Sequence, residues 1–305
     1  MKGTTIALVS CMFLGIEPIF GKVLLNHMSP LVLAAISSVA AAVIMSLILG
    51  VEHKVSELWD LKGGELLVLV AVGMISGLVA QLLYVTGLSQ SPGGATNAVL
   101  ITRLNSLLIA LMGVVFLKER LTVHHVRGTI LMVTGIIVIM TNGFAQAVRP
   151  THGDGLFIIA AFCWASANIL MKKYLTRLPP EVIVVGYYGF SGAVLLAMTA
   201  GDVPATLMNP DIVTYMIGMV VLVSIIGRYL WYYSFEHTSA SNVGVASLSL
   251  PLFGVLYSTT LLGEKLTESQ ILGGILIFAG LVVIELHMTK LEDIEHRLKR
   301  HHPHH

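Results

Sequence analysis

Residues 31–50 read LVLAAISSVAAAVIMSLILG, twenty positions without a single Asp, Glu, Lys or Arg. At a rise of 1.5 Å per residue, a helix of that length covers about 30 Å, the thickness of a bilayer's hydrocarbon core. The apolar residues run continuously instead of alternating, which reads as a helix and not as a barrel strand. The rest of the chain follows the same rule. Of 305 residues 55% are apolar and 11% are charged, where a soluble domain carries about 25% charged residues. So few charges cannot cover a water-soluble surface of this size, and they fall in short clusters between long uncharged runs.

Working outward from 31–50, further spans are predicted near Thr4 to Leu25, Leu66 to Leu88, Ala95 to Leu117 and Val123 to Asn142. A second set follows near Gly155 to Tyr174, Val182 to Gly201, Val213 to Phe235, Asn242 to Leu262 and Ile271 to His287. Turn residues separate them, among them Ser91-Pro92-Gly93-Gly94, Pro179-Pro180 and Asn209-Pro210. The basic Lys2 and the apolar run behind it have the look of a signal peptide, but the run continues to Leu25 and is counted as the first span. Sorting Lys and Arg by side leaves only Lys22, Arg149 and Lys265 on one face and thirteen on the other. The positive-inside rule then places both termini in the cytoplasm and requires an even number of spans.

The two sets repeat each other. At an offset of 150, Ile19-Phe20-Gly21-Lys22 faces Ile169-Leu170-Met171-Lys172, and Ser29-Pro30 faces Pro179-Pro180. At an offset of 145, Ala95-Thr96-Asn97 faces Ala240-Ser241-Asn242, Glu119 faces Glu264, Gly128 faces Gly273 and Gly135 faces Gly280. An odd number of spans per unit forces the second copy to enter the membrane upside down. The expected fold is therefore an all-α membrane protein of ten helices in two inverted five-helix repeats, 1–147 and 148–289, with a polar cytoplasmic tail over 290–305. Inverted repeats of this kind suit a carrier that opens alternately to either side of a midplane site.

The ends of the fourth and ninth spans carry a second signal: Phe116-Leu117-Lys118-Glu119-Arg120-Leu121-Thr122 and Leu262-Gly263-Glu264-Lys265-Leu266-Thr267, each followed by a glycine-spaced helix. In these the chain resembles the ten-helix EamA-type members of the drug/metabolite transporter superfamily, over about Thr4 to His287. Pro251 matches the proline such repeats carry in span nine, whereas the first unit departs with Arg103-Leu104-Asn105-Ser106 at the corresponding point. The resemblance implies a central cavity lined by spans one, three, four, six, eight and nine, with five and ten at the periphery.

Charged groups inside a bilayer are costly and mark function by default. Three qualify here. Glu17 and Arg103 both lie about 10–12 Å from the outer ends of their spans, Gln81 lies at a comparable depth, and a shared cavity with contact between Glu17 and Arg103 is expected. Arg103 would bind a carboxylate while Glu17 pairs with it or titrates; the bland alternative is a permanent ion pair that only fixes packing. Pro18 beside Glu17 would bend span one. Arg228 lies nearer the inner end, followed by Trp231, Tyr232 and Tyr233, with Asn168 at similar height. These would form an inner vestibule in which a carboxylate such as Glu236 or Glu285 holds Arg228, or else an interfacial aromatic belt with a snorkelling arginine. Glu119 and Glu264 read as structural, closing helix ends or bracing loops, and Asn97 and Asn242 as caps or cavity-facing donors.

The expected function is secondary transport of a small polar metabolite, an amino acid or related carboxylate, with proton coupling through Glu17. Multidrug efflux of hydrophobic cations is the alternative, and from other classes a channel or an intramembrane enzyme. Gly189-Phe190-Ser191-Gly192 matches a membrane-protease pattern, but no histidine is placed at the depth of Ser191 to serve as base. Cys11 and Cys163 have no metal-ligand or redox spacing, and no P-loop or dinucleotide fingerprint is present. No enzyme activity, metal or cofactor is expected, and no nucleic acid. The partners are the solute, membrane lipid and at most a second copy of the chain, in a prokaryotic plasma membrane.

Overall fold

A computed structural model describes residues 3–89, 101–119, 122–141, 153–199, 209–262, 267–280 and 282–283, and these are helical and turn residues without a strand. The helices of the first half are α1 (Gly3–Leu14), α2 (Glu17–Leu24), α3 (Pro30–Val51), α4 (Ser56–Trp59), α5 (Gly63–Val72), α6 (Ala80–Ser89), α7 (Leu104–Leu117) and α8 (Val123–Met140), with a π-helical segment Gly73–Val79 joining α5 to α6. Those of the second half are α9 (Asp154–Tyr174), α10 (Pro180–Met198), α11 (Pro210–Gly218), α12 (Arg228–His237), α13 (Ala240–Ala246) and α14 (Leu250–Leu262), then α15 (Glu268–Gly280). A π-helical segment Met219–Gly227 joins α11 to α12, and a 3-10 turn Ser247–Ser249 joins α13 to α14.

Among the described residues, seven apolar runs are long enough to cross a membrane: Gly3–Gly21, Pro30–Val51, Gly63–Tyr84, Gly155–Tyr174, Pro180–Met198, Pro210–His237 and Ala240–Leu261. Leu104–Leu117, Val123–Val138 and Glu268–Gly280 are shorter apolar helices, at the positions expected for spans four, five and ten.

By internal contacts the chain divides into two units, one of Met1–Glu119 with Val148–Lys265, the other of Arg120–Ala147 with Leu266–His305. This cut takes the fifth and tenth predicted spans together and leaves the other eight, so it runs across the sequence halves. Within the larger unit α3 packs along α10, α1 along α12, α6 along α9 and α7 along α13. Exchanging the halves turns the α1–α12 contact into the α9–α6 contact and returns α3–α10 to itself. The local geometry repeats as well. Residues 25–29 and 175–179 make the same turn, in which the Leu25 N–H donates to Gly21 O and the Leu175 N–H to Met171 O, both at 2.8 Å. Each turn is followed by a helix beginning on proline, Pro30 or Pro180, where a missing N–H costs nothing.

The smaller unit has a reciprocal contact of its own. A Cβ added to Gly135 on α8 would lie 2.5 Å from Gly273 O on α15, and one added to Gly280 on α15 would lie 2.6 Å from Gly128 O on α8. Both pairs, 128 with 273 and 135 with 280, sit at the 145-residue offset, so the same contact is made twice with the partners exchanged. Small residues let helices in lipid approach to backbone contact, which accounts for the glycine spacing in the sequence.

Helix α7 ends on Lys118 at φ 56°, a left-handed conformation that L side chains adopt at a cost. The residue at the matching position of the second half is Gly263. Lys118→Gly is expected to be neutral or stabilising by up to about 1 kcal/mol, and a loss of stability on thermal unfolding would show that the lysine side chain does more than end the helix.

Candidate functional site

Every intramembrane charge singled out in the sequence sits where a helix loses its regular ladder. In span one the Gly15 N–H still reaches Cys11 O at 2.8 Å, but the Ile16 N–H turns to Phe13 O at 3.4 Å and a new helix starts. Glu17 is its first residue and Pro18, with no N–H to give, its second. Span nine breaks in the same manner at Ser247–Ser249, and there Pro251 is the second residue of α14. Arg103 is the turn residue that caps α7. Gln81 is the second residue after the first π-helical segment, and Arg228 directly follows the second. Wide turns of this kind are frequent at functional sites.

Breaks inside a membrane leave carbonyls that only the protein can satisfy. Here neighbouring side chains do so. Trp164 Nε1 donates to Ser76 O at 3.2 Å in the first π-helical segment, and Ser10 Oγ donates to Gly227 O at 2.8 Å at the end of the second. Ala246 O accepts from Ser249 Oγ at 2.7 Å and from Cys11 Sγ at 3.6 Å. Asn168 extends the first of these links: its Nδ2 donates to Trp164 O at 2.8 Å and its Oδ1 accepts from Trp231 Nε1 at 2.9 Å. A chain of hydrogen bonds thus runs from the first π-helical segment through α9 to α12.

Arg228 is held by tyrosines. Its guanidinium carbon lies 5.2 Å from the centroid of the Tyr187 ring, and its Nε donates to the Tyr188 hydroxyl at 3.4 Å. Tyr187 in turn meets Tyr188 edge-on at 4.8 Å and Tyr232 at 6.1 Å. A guanidinium over a desolvated aromatic face gains up to about 2 kcal/mol. In place of the expected carboxylate partner stand one aromatic face and a hydroxyl: Glu236 makes no ion pair with Arg228 among the described residues, and Glu285 lies outside them. Trp231 and Tyr232 are 5% and 3% exposed, packed inside the larger unit and not in an interfacial belt. Tyr187 and Tyr188 belong to α10, the seventh span, which the family resemblance did not place around the cavity.

Glu17 and Arg103 do not make the expected contact. No carboxylate oxygen of Glu17 lies within 4.0 Å of either arginine among the described residues. Glu17 is nonetheless within electrostatic reach of Arg228 and Arg103, and Arg103 within reach of Tyr84, Cys11 and Glu17. Equal depth along a helix does not fix which way a side chain faces, and both residues sit at breaks that reorient the chain. Glu17 is exposed and Arg103 partly buried. A carboxylate is costly to expose to hydrocarbon, so Glu17 at this depth calls for a polar partner. The Nε of Arg103 is buried and makes no hydrogen bond among the described residues.

The remaining expectations concern the end of the larger unit where Gly3 lies against His237. Glu119 caps α13: its carboxylate accepts from the Ala240 N–H at 2.7 Å, the Ser241 N–H at 2.8 Å and Ser241 Oγ at 2.6 Å. Its repeat partner Glu264 lies outside the described residues, as does Asn97. Asn242 donates from Nδ2 to Thr238 Oγ1 at 2.8 Å, while the capping oxygen for its own N–H is that of Ser239 at 3.1 Å. Lys172 Nζ donates to Phe235 O and to Thr238 O, closing the last turn of α12. Lys54, in the segment after α3, contacts Glu52 at 2.6 Å and Glu181 at 3.2 Å, and the hydrogen bonds it donates to these two carboxylates hold its ammonium above the ordinary lysine range. Ser191 donates to Tyr187 O at 2.7 Å, a bond within its own helix.

Sequence reasoning missed Tyr187, Tyr188 and Trp164. Two signals were available. Trp164 stands one turn before Asn168 on the same helix face, and paired tyrosines in mid-span need partners for their hydroxyls.

Comparison with known proteins gives a consistent set of likenesses. The profile of the EamA-like transporter family matches residues 1–141 and 151–286. An uncharacterized transporter of Methanothermobacter thermautotrophicus is 24% identical over 91% of this chain and 84% of its own. A probable amino-acid metabolite efflux pump of Salmonella typhimurium is 26% identical, covering 92% of this chain and 94% of its own. One solved crystal structure superposes with a TM-score of 0.81 at 18% identity, over 95% of this chain and 98% of that one.

Proposed function

The chain belongs to the EamA-like transporter family, and from that premise we propose that it moves a small polar metabolite, an amino acid or related carboxylate, by alternating access between two inverted five-helix repeats. That it is an integral membrane transporter follows from the family and the apolar helices; the repeat, the substrate class and the cycle are this proposal. The observation that carries it is the recurrence of helix irregularities in register. The π-helical segments Gly73–Val79 and Met219–Gly227 overlap at the 145-residue offset, and so do the break at Arg103 and the 3-10 turn at Ser247–Ser249. Two copies of one unit, each with its own hinges, can rock against each other around a fixed site.

A carboxylate substrate is supported by Arg103, a planar donor with a buried Nε that makes no hydrogen bond among the described residues. The efflux pump of Salmonella typhimurium, named for amino-acid metabolites, lends the same class. Efflux of hydrophobic cations is the second reading, favoured by the tyrosines of α10 and α12, although the face of Tyr187 is already taken by Arg228. Both termini lie in the cytoplasm on the charge distribution, and the loops predicted to be cytoplasmic meet one another through Gly3 with His237, Glu119 with Ala240 and Lys172 with Thr238.

A thermal-shift screen of purified protein against amino acids, organic acids and cationic drugs tests the substrate class, because a solute that binds the folded state raises its apparent stability. Carboxylates are expected to respond; a response confined to lipophilic cations reverses the ranking. Proton coupling is assigned to Glu17. In proteoliposomes, Glu17→Gln is expected to exchange substrate across the membrane but not to accumulate it under a pH difference, and accumulation by that variant would remove Glu17 from the coupling step.

A further inference from the structure

We infer that the intramembrane group of Glu17, Arg103 and Arg228 selects substrates carrying one net negative charge, with Arg103 as the anchor for the carboxylate. This deepens the proposed carboxylate transport and rests on it. The argument is one of charge balance. Glu17, Arg103 and Arg228 are the charged side chains that the span assignment places inside the membrane, one acid against two bases, and the acid is within electrostatic reach of both arginines. The group as a whole carries a surplus of one positive charge, and in a low-dielectric surrounding an uncompensated charge is expensive.

The two arginines meet this cost differently. Arg228 has the Tyr187 face at 5.2 Å and the Tyr188 hydroxyl at 3.4 Å, with Tyr232 closing the cluster. Among the described residues Arg103 has no such cage. Its Nε is buried and makes no hydrogen bond among the described residues. It also caps the fourteen-residue helix α7, whose N-terminus adds a further positive field pointing the same way. The surplus charge therefore resides at Arg103, where a guanidinium can grip a carboxylate through two parallel N–H donors. A substrate with one net negative charge neutralises the loaded site. A zwitterion leaves the surplus in place and a dianion overshoots it, so both are disfavoured in the loaded carrier.

Purified full-length protein separates these cases when titrated with probes matched in shape but differing in charge: glutamate against glutamine, and lactate against lactamide, followed by thermal shift and by equilibrium binding. The monoanion of at least one pair is expected to bind about tenfold or more tightly than its partner, and Arg103→Gln is expected to abolish that difference while Arg103→Lys keeps part of it. Glu17→Gln provides a gain of function that does not depend on how well the Arg103 variants fold. It raises the surplus to two charges, so binding of succinate is expected to rise relative to glutamate. Glutamine bound as well as glutamate, with Glu17→Gln leaving the succinate preference unchanged, overturns the charge selection and leaves carboxylate transport standing. No response to any monoanion, with tetraphenylphosphonium bound, overturns both.

Discussion

Glu119→Ala is expected to lower unfolding stability in detergent by about 3–5 kcal/mol, because it removes a charged acceptor from two backbone N–H groups and a hydroxyl at once. Ala240 and Ser241 are 0% and 1% exposed, so their N–H groups have no water to turn to. The carboxylate is also placed at the N-terminus of α13, where a negative charge is favoured by the helix field. Glu119→Gln should recover part of the loss, since its amide oxygen can accept one N–H while its NH₂ confronts the other. Transport should fall with stability. Helix α13 is one half of a broken span, and its far end carries the 3-10 turn where Ser247 Oγ meets Ser106 Oγ at 2.6 Å. If Glu119→Ala melts at the wild-type temperature, the carboxylate is no cap but a loosely held surface group, and the case for a braced helix end is lost.

That result would also speak to how much of this molecule can be read from its residues. Span positions were legible because membrane helices have one dominant requirement, a continuous apolar length, and Leu31 to Gly50 meets it without ambiguity. The residues that suggest a repeat are ones whose places backbone geometry sets: Pro30 and Pro180 each open a helix, and Gly135 and Gly280 each sit at a close helix contact. Glu119 could be assigned a bracing role from its place at a span end, since a carboxylate beside water has little else to stabilise.

The site was legible in its ingredients and not in its arrangement. Depth along a span follows from counting residues at 1.5 Å each, so Glu17 and Arg103 could be put at one level. Whether they touch depends on rotation about the helix axis, and at residues 15–16 and 103 the chain leaves the helix that would have fixed it. Arg228 shows a second limit. A buried cation calls for a partner, and sequence reasoning supplies a carboxylate by habit; the Tyr187 face and Tyr188 hydroxyl that serve instead come from α10, about forty residues away, through a packing of α10 and α12 that no local pattern encodes. The two π-helical segments were also invisible, since a π turn differs from an α turn by one residue in register and leaves no compositional mark.

Gly77→Val tests whether the packing of the first π-helical segment supports the site. A Cβ at Gly77 would lie 2.5 Å from Ser191 Cβ and 2.6 Å from Ser191 Oγ, far inside any real carbon contact. Ser191 is fully buried, so it cannot swing away, and its Oγ is spent on Tyr187 O. The segment must therefore move off α10 or α10 must move off it. Overpacking of this kind costs about 1–3 kcal/mol, which a folded membrane protein survives. Function should not survive it, because the displaced stretch of α10 carries Tyr187 and Tyr188, and the displaced π-helical segment carries the Ser76 carbonyl that Trp164 holds. Transport by Gly77→Val is expected to fall to near background while the protein still inserts and purifies. Ser191→Gly in the same chain removes both atoms that the new side chain meets, and should restore most of the activity. An active Gly77→Val, or a double variant no better than the single, would separate this contact from the tyrosine cage and leave Arg228 positioned by α12 alone.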